Sequence, residues 1–392
     1  MKPYFDVVIV GGAVTGSAAA YFLGAESAFK GSVLVLERDF GYGNCATTRS
    51  AASIRHQFST PENIRMSMFG TAFLRRVDEH LAVDGDVPDI GLHEAGYLFL
   101  ATPAGRDVLA RNHRVQQAEG ADIALLEPVE LNARFPWLAT ADLAAGSLGL
   151  SGEGWLDAHA LMHGFRRKAL ALGATYREAA VAGLERHGRR ITQVRLDDGT
   201  TIGCGTVINA AGTSAATLAD TAGIVLPVEP RKRCVFHFRS PAVLPHCPLV
   251  IDPSGLYFRP EGAGFICGIA PPEEHDPPST DFDVPYALWD DVLWPALAAR
   301  VPAFEAARMV SAWAGHYDVN TLDHNVILGA HPDVDNLLFA NGFSGHGLQQ
   351  SPAIGRALSE LVTFGGYRTL DLSTFGWQRV LDGRPLRELN VV

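Results

Sequence analysis

Residues 5–22 read FDVVIVGGAVTGSAAAYF, and this stretch decides the first element of the fold. Its β-branched run enters a glycine-rich turn at 11–16 and continues into alanine-rich sequence with helical spacing. A second apolar run, SVLVL at 32–36, is closed by Glu37. The pattern predicts a βαβ unit that holds a pyrophosphate at the helix start and ribose hydroxyls at the acid. Because Ala13 replaces the middle glycine of that fingerprint, a plain parallel-sheet turn remains the alternative.

Two further turns of small residues occur far along the chain. TVINAAG at 206–212 follows a predicted hairpin at 193–202, and LLFANGFSGHGLQQ at 337–350 precedes a predicted helix from about 352 to 362. Small side chains let a ligand approach the backbone, and a helix start gathers partial positive charge. Three such turns spread over the chain predict one large cofactor held by discontinuous segments.

The positions of these three turns divide the chain into two predicted domains, each of them discontinuous. Residues 1–80, 151–220 and 325–392 contain the three turns and form the predicted cofactor-binding domain. Residues 81–150 and 221–324 lie between them and form the predicted substrate-binding domain.

The composition is that of a globular protein and argues against several classes of partner. With 392 residues, 47% of them hydrophobic and 19% charged, the chain is long enough for two or three domains. A net charge of −11 repels phosphate backbones, so no nucleic-acid partner is predicted. The five cysteines show neither CxxC nor zinc-site spacing, and no histidine pair has metal-helix spacing with a glutamate, so we predict no metal site.

Two stretches bear on location and on the surface. The apolar residues 7–23 contain turn glycines and follow only six residues, so we interpret them as strand, turn and helix rather than as a membrane span. Without a signal peptide or a transmembrane segment, the predicted location is cytoplasmic. Residues 271–285 are proline-rich and acidic, which predicts a surface loop. The absence of GxSxG and Walker motifs argues against hydrolase and phosphoryl-transfer chemistry.

Four segments together resemble a known family. They are VVIVGGAVTG with Glu37 and Arg38, CATTRSAASIRHQFS at 45–59, VINAAG at 207–212, and NTLDHNVILG with NGFSGHGLQQSPAIGRA in the last quarter. The chain resembles the FAD-dependent amine and amino-acid oxidoreductases of the D-amino-acid oxidase superfamily, which includes sarcosine oxidase and dimethylglycine dehydrogenase. The resemblance implies an α/β fold with a Rossmann-like FAD-binding domain and a second domain built on a mixed, largely antiparallel sheet.

Part of the sequence is similar to one group within that family. GLYFRPEG at 255–262, WPALAARVPAFE at 294–305 and SAWAGHYDVNTLDHN at 311–325 are similar to the mitochondrial FAD-dependent oxidoreductase-domain proteins linked to respiratory complex I assembly. This similarity raises an alternative to catalysis, namely a flavin-bound assembly or scaffold protein with little turnover.

The resemblance implies that FAD is the cofactor and which residues hold it. The adenosine end falls at the first glycine turn and the flavin end at the turn around 345–347, where a helix start would stabilise reduced flavin. Some relatives attach FAD through a cysteine near 315 or 316 or a histidine near 50, but this chain has Gly315, His316 and Ser50, so we predict non-covalent FAD. The implied FAD-binding residues are Gly11, Ala13, Gly16, Glu37, Arg38, Thr48, Arg49, Ser50, Val181, Ala211, Gly212, Gly315, Gly342, Gly345, His346, Gly347, Leu348 and Gln349.

Family chemistry is hydride transfer from a carbon bearing an amine, followed by hydrolysis of the imine. An arginine suits the substrate carboxylate because its two parallel N–H donors match two oxygens. Arg55 falls at the carboxylate-binding arginine of sarcosine oxidase, with a surface salt bridge as its alternative role. Tyr257 matches an active-site tyrosine but could equally pack in the core, and Arg259 is a second candidate anchor. His346 is either a polar group of the site or a structural histidine.

Several residues differ from those of the family's characterised enzymes, and these differences bear on the predicted substrate and electron acceptor. The lysine that activates oxygen in sarcosine oxidase aligns with Ile266, and a second carboxylate-binding lysine aligns with Gln349. An isoleucine cannot stabilise developing superoxide, so the sequence favours a dehydrogenase over an oxidase. Arg233 lies in a basic cluster that we interpret as a solvated strand end, although it also falls near a substrate-contacting arginine of the D-arginine dehydrogenases. Tyr317 stands where those enzymes carry the arginine that binds the carboxylate.

The sequence thus predicts FAD-dependent oxidation of a secondary amine or an N-substituted amino acid. The predicted partner is an amino-acid-like molecule with a carboxylate, and the electron acceptor is a quinone, an electron-transfer protein or O₂. Besides the scaffold, a D-amino-acid dehydrogenase and a 2-hydroxy-acid dehydrogenase remain as alternatives, because they share the hydride geometry and the carboxylate anchor.

Overall fold

The structure, a computed structural model, describes residues 3–389. Its strands are β1 (Tyr4–Val10), β2 (Val33–Glu37), β3 (Ser53–Ile54), β4 (Tyr97–Ala101), β5 (Ile123–Leu126), β6 (Ala145–Gly149), β7 (Gly154–Trp155), β8 (Thr175–Glu178), β9 (Val181–His187), β10 (Arg190–Leu196), β11 (Thr201–Asn209), β12 (Val228–Arg239), β13 (Leu249–Ile251), β14 (Tyr257–Glu261), β15 (Gly264–Gly268), β16 (Arg308–Asn320), β17 (Ile327–His331) and β18 (Val334–Asn341).

Helices pack against these strands. They are α1 (Val14–Ala25), α2 (Pro61–Leu74), α3 (Val77–Leu81), α4 (Arg106–Ala118), α5 (Pro128–Arg134), α6 (Ala158–Ala171), α7 (Ala215–Asp220), α8 (Trp294–Arg300), α9 (Gly347–Phe364) and α10 (Trp377–Leu381).

The first sheet has a parallel centre in the order β18-β11-β1-β2-β8, extended by the antiparallel strands β17, β10 and β9. Val7 and Ile9 of β1 belong to a core that includes α1 and α9, whereas Val8 and Val10 belong to a core on the other face. Burial on both faces explains why residues 7–10 of β1 are an unbroken apolar run. The predicted βαβ unit and the predicted hairpin, β10 with β11, are both present.

The last long helix begins earlier than the sequence predicts. The sequence predicts a start at about Pro352, but α9 starts at Gly347 and Pro352 lies inside it. A proline at this point removes the N–H that would bond to the carbonyl of Leu348. The hydroxyl of Ser351 donates to that carbonyl instead, at 2.9 Å, which explains how the helix passes through Pro352.

The second sheet has the order β16-β12-β15-β14-β13-β4-β6-β5 and is antiparallel except where β13 runs parallel to β4. This confirms the mixed, largely antiparallel second sheet. Its strands come from residues 81–150 and 221–324, and those of the first sheet come from the other segments of the chain. The long pair β12 and β16 reaches back to the first sheet, where Val319 bridges to Phe343. The two sheets therefore meet beside the turn that precedes α9.

Candidate active site

A main cavity of about 390 Å³ extends from the turn between β1 and α1 to the end of β16. It is formed by discontinuous parts of the chain, because the parallel strands β1, β2, β11 and β18 end around it. The residues of the implied FAD set that line this cavity are Gly11, Ala13, Glu37, Arg38, Ser50, Val181, Ala211, Gly212, Gly345, Gly347 and Leu348.

The glycine turn is shaped so that no side chain fits. Gly11 has a φ of +100°, and a Cβ there would lie 2.2 Å from the carbonyl oxygen of Ala210. A Cβ at Gly16 would lie 1.8 Å from the carbonyl oxygen of Gly11, so Gly16 supports the turn without lining the cavity. α1 begins with no side-chain cap at Ala13, which leaves N–H groups of its first turn for a ligand.

The acid at the end of β2 holds this turn from the side. One carboxylate oxygen of Glu37 accepts from the N–H of Gly12 at 2.8 Å, and the other accepts from the N–H of Asp39 at 3.1 Å. Tyr42 also lines the cavity, and burial raises the pKa of its hydroxyl to about 12. That hydroxyl is buried and has no hydrogen-bond partner in the described part of the chain.

At the opposite end the cavity meets the start of α9. Gly347 and Leu348 line the cavity, and α9 begins with no side-chain cap at His346. A carboxyl oxygen of Asp318 accepts from the N–H of Gly342 at 2.8 Å, and the carbonyl of Asp318 accepts from Ser344 at 3.1 Å. Burial raises the pKa of Asp318 to about 6. The positive end of a helix and a buried acid thus face the same end of the cavity.

A smaller side cavity of about 80 Å³ adjoins the main cavity and shares Ser50, His316, Tyr317 and Gly345 with it. This volume is well below that of a drug-sized site and suits a small molecule. The residues of the predicted site that line it are Arg49, Ser50, Arg55, Tyr257, Gly315, Gly345, His346 and Gln349. Arg233, His316 and Tyr317, which the sequence analysis also considers, line it as well.

Arg55 is a buried arginine on the wall of the side cavity, with 5% of its surface exposed. Its guanidinium carbon lies 4.6 Å from the ring centre of Phe58 and 5.4 Å from that of Phe99. Nη2 of Arg55 donates to Nε2 of His346 at 3.0 Å. Because arginine only donates, this contact assigns the imidazole proton to Nδ1. Burial and the adjacent Arg55 hold the pKa of His346 well below its usual value, so the ring is neutral.

Two further residues fix the backbone that carries Arg55. The side-chain oxygen of Gln349 accepts from the N–H of Arg55 at 2.8 Å. The buried carboxylate of Glu153 accepts from the N–H of His56 at 2.5 Å and from the side chain of Gln57 at 2.8 Å. Burial raises the pKa of Glu153 to about 7, and the positive charge of Arg55 opposes that rise. A network of hydrogen bonds therefore orients the arginine.

Four residues of the predicted set line neither cavity. Gly16 supports the first turn, as described above. The hydroxyl of Thr48 donates to the carbonyl of Tyr42 at 2.6 Å, and Gly342 packs against Asn320. The guanidinium of Arg259 donates to the carbonyl of Ala51 at 2.8 Å, is paired with Glu261 and lies over the ring of Trp155.

The structure also shows residues that sequence reasoning missed. Asp318 lies inside a quoted segment, but nothing in the pattern separates it from a solvated acid. Glu153 acquires its role only when β7 is brought beside Arg55, so it gives no sequence signal. The interpretation of Arg233 as a solvated strand end is wrong, because its side chain lines the side cavity and is only 19% exposed.

Residues 6–361 match the family described as "FAD dependent oxidoreductase". The chain belongs to this family. It is 43% identical to FAD-dependent oxidoreductase domain-containing protein 1 of Xenopus laevis, over 99% of this chain and 85% of that protein. The solved L-proline dehydrogenase of P. horikoshii has a TM-score of 0.87 with 25% identity, covering 98% of this chain and all of that one. The glycine oxidase of Geobacillus kaustophilus has a TM-score of 0.81 with 26% identity, covering 96% and 98%.

Family membership confirms FAD as the cofactor of this FAD-dependent oxidoreductase. The cradle in which no Cβ fits at Gly11, the uncapped start of α1 and the elongated main cavity suit a dinucleotide. No helix within residues 3–389 is long and apolar enough to cross a membrane.

Proposed function

We propose that this FAD-dependent oxidoreductase oxidises the C–N bond of a secondary amine or N-substituted amino acid that carries a carboxylate. Two of its solved relatives, by name a proline dehydrogenase and a glycine oxidase, act on amino acids. Bound FAD supplies the hydride acceptor. The substrate loses a C–H bond with its electron pair and an N–H proton, and water then divides the resulting imine into an amine and a carbonyl compound.

In this proposal the main cavity holds FAD without a covalent bond. The first-turn N–H groups of α1, with Gly11, would hold the pyrophosphate, and Glu37 and Arg38 would hold the adenosine ribose. Val181, Ala211 and Gly212 would line the adenosine side. The start of α9 would lie near the flavin, and its positive end would stabilise negative charge on the reduced ring. Gly315 and Ser50 carry neither the thiol nor the imidazole through which some relatives attach FAD, and we propose that His316 remains unlinked.

The observation that carries the proposed function is the placement of Arg55. Its guanidinium is buried, lines a small cavity beside the flavin end and lies against aromatic rings. A carboxylate bound there gains two parallel charge-assisted hydrogen bonds in a poorly hydrated site. His346 contributes a neutral imidazole, and Tyr257 a wall whose hydroxyl stays protonated because burial raises its pKa well above the usual value. A carboxylate anchor of this kind orients a C–H bond for transfer.

We further propose that the protein is a dehydrogenase rather than an oxidase. No lysine of the described chain lines the main or the side cavity. The position of the oxygen-activating lysine is Ile266, which is buried on β15. The hydrocarbon side chain cannot stabilise developing superoxide.

The test is the anaerobic absorbance of the purified holoprotein near 450 nm. Sarcosine, dimethylglycine, proline, N-alkyl amino acids, opines, D-amino acids and 2-hydroxy acids are added in turn, and air is then admitted. We expect an amine with a carboxylate to bleach the flavin and air to restore the colour slowly. Bleaching only by hydroxy acids would assign the 2-hydroxy-acid alternative, and a flavin that no compound bleaches would favour the non-catalytic assembly role.

A further inference from the structure

The side cavity offers no acid to pair with a substrate ammonium. Arg49, Arg55 and Arg233 line it, and no aspartate or glutamate of residues 3–389 does. Asp276, the partner of Arg233, lies outside the cavity. An aliphatic amine is protonated in neutral water, and neighbouring positive charges favour its neutral form. Only the neutral amine has the nitrogen lone pair that forms the C=N bond as hydride leaves, so the bound amine must give up a proton.

Most titratable groups around the side cavity cannot take that proton. Nε2 of His346 already accepts from Nη2 of Arg55 at 3.0 Å. Arginines stay charged, and tyrosines and cysteines are protonated near neutral pH. Burial raises the pKa of the Cys234 thiol, and it raises that of the Tyr257 hydroxyl well above the usual value. Asp318 lines only the main cavity, and its carboxyl already accepts from a backbone N–H at 2.8 Å.

His316 is the remaining titratable side chain of the side cavity, and it also lines the main cavity. Its Nε2 is buried and has no hydrogen-bond partner within residues 3–389. Burial lowers the pKa of His316, and a hydrogen bond with the backbone of Asp281 opposes that shift, which means that the ring donates to the carbonyl. Because Nε2 has no partner, the donor is Nδ1. The lone pair of the neutral ring therefore lies on Nε2.

The surroundings of His316 hold the ring and keep it neutral. The ring of Phe282 meets it edge to face, with 4.6 Å between the ring centres. Burial lowers the pKa of His316, and the positive charges of Lys232 and Arg49 act in the same direction. The charge of Asp281, which is paired with Lys232 at 2.6 Å, acts in the opposite direction. Since the pKa stays below its usual value, the ring is neutral at pH 7 and can take a proton.

We propose that Nε2 of His316 is the base that takes the proton of the substrate amine. This rests on the proposed function, which supplies the amine and the hydride acceptor. The N–H bond of the ammonium breaks, its electron pair stays on nitrogen, and the proton bonds to Nε2. The neutral amine then loses hydride from the adjacent carbon while its lone pair forms the C=N bond. The imidazolium returns its proton to water before the next turnover.

The first experiment follows anaerobic bleaching of the holoprotein flavin by N-ethylglycine in a stopped-flow instrument. His316→Asn keeps an N–H donor near the position of Nδ1 and removes Nε2. We expect this variant to bleach about a hundredfold or more slowly than the wild type at pH 7. Without the base, the variant depends on amine that is already neutral in water. The difference therefore shrinks as pH rises and disappears at about pH 10.

A fluorinated probe separates proton transfer from other effects of the substitution. N-trifluoroethylglycine has nearly the same shape as N-ethylglycine, but its fluorines withdraw electrons, so its amine is already neutral at pH 7. We expect the ratio of wild-type to His316→Asn rates to fall to about one with this probe. The control variant is His237→Asn, which changes a histidine of β12 that lines neither cavity. It bleaches with both probes at the wild-type rates.

A second measurement needs no turnover. 2-Aminoisobutyrate has no hydrogen on its α carbon to give up, and pivalate has the same shape with a methyl group in place of the ammonium. Each is added to holoprotein that contains isotope-labelled histidine, and the nitrogen resonance missing from His316→Asn identifies Nε2 of His316. We expect 2-aminoisobutyrate to move this resonance towards that of a protonated ring nitrogen, and pivalate to leave it unchanged.

The outcomes separate this inference from the proposed function. Equal slowing with both glycine probes at every pH, or a resonance that 2-aminoisobutyrate does not move, means that the proton goes elsewhere and overturns the inference. Loss of bound flavin from His316→Asn with a wild-type pH profile would assign Nε2 to FAD instead, and it also overturns the inference. In each case, bleaching of the wild type by an amine still supports the proposed function. If no amine bleaches the wild type, both proposals are wrong.

Discussion

The two ends of the cavity system are built in different ways. The end at β1 and α1 depends on backbone geometry at residues 9–17, which are enclosed by the backbone of Ala210 and held by Glu37. The side cavity instead collects Arg55, Arg233, Tyr257 and Tyr317 from distant segments on different strands and loops. The glycine turn tolerates almost no substitution, because an added side chain would collide with the backbone. The side chains that line the side cavity can be substituted individually without moving the backbone. If the side cavity binds the substrate as we propose, it is where specificity can differ between relatives with one fold.

The largest effect is expected at Gly16. In Gly16→Ala the new Cβ would lie 1.8 Å from the carbonyl oxygen of Gly11, so the turn must move away from the cofactor. We expect the purified protein to be colourless, with FAD bound at least about a hundredfold more weakly, as measured by fluorescence titration of the apoprotein.

The matched control is Gly366→Ala, because a Cβ at Gly366 meets nothing within 4 Å and its backbone conformation suits alanine. This control protein retains its flavin. If Gly16→Ala also bound FAD with the wild-type affinity, the contrast between a rigid cradle and an adaptable side cavity would not hold.

The next effect tests the substrate end. Arg55→Ala removes a buried cation from the side cavity, so KM for a carboxylated substrate rises by a factor corresponding to about 2 to 4 kcal/mol. The flavin content stays the same, because Arg55 lines the side cavity and not the main one. Steady-state kinetics with a carboxylated amine and with its methyl ester separate the lost anchor from general damage, since the ester has no carboxylate to lose.

Arg259→Gln is the control for this substitution. The sequence offers Arg259 as a second anchor, but its guanidinium bonds to the carbonyl of Ala51 and stacks on Trp155. We therefore expect a lower melting temperature and an unchanged KM. A carboxylate-specific rise in KM for Arg259→Gln would show that this arginine reaches the substrate after all.

The sequence predicts the glycine turn at the β1 and α1 end better than it predicts the side cavity. Gly11 and Glu37 are recognisable because the turn, the helix start and the acid occur within one βαβ unit. The partners of Arg259 and Arg233 could not be predicted, since alternation along a strand places side chains on a face but does not say which neighbours bind them. Arg259 points at Trp155 and Arg233 at the side cavity because of loops and strands distant in sequence. Glu153 had no local signal at all.

A third prediction concerns the acid behind Arg55. Burial raises the pKa of Glu153 from its usual 4.5 to about 7, so the folded protein holds this proton more tightly than the unfolded chain. The free energy of unfolding therefore falls as pH rises from about 4.5 to 7, by an amount on the order of 3 kcal/mol. Glu153→Gln removes this contribution, and urea unfolding across that pH range measures the change in slope.

Glu94→Gln provides a comparison, because the pKa of Glu94 is shifted in the opposite direction to that of Glu153. The ion pair with Arg75 holds the pKa of Glu94 below its usual value, so its stabilisation is present above pH 4.5 and is lost as pH falls. Its substitution changes the acid side of the profile and leaves the range between pH 5 and 7 unaffected. An unchanged slope in Glu153→Gln would mean that the carboxylate is ionised in the folded state at pH 5.

The smallest effect is expected from Ile266→Lys, which places a cation on the face of the second sheet that also carries Tyr257. A positive charge near the flavin end stabilises developing superoxide, so air should reoxidise the reduced protein about tenfold faster. Ile266→Met is the matched control, because it has a similar length and no charge. Stopped-flow mixing of the reduced protein with oxygen gives the rate. Equal rates in the two variants would show that the identity of residue 266 does not limit the oxygen reaction, and the dehydrogenase assignment would then depend on the residues that line the side cavity.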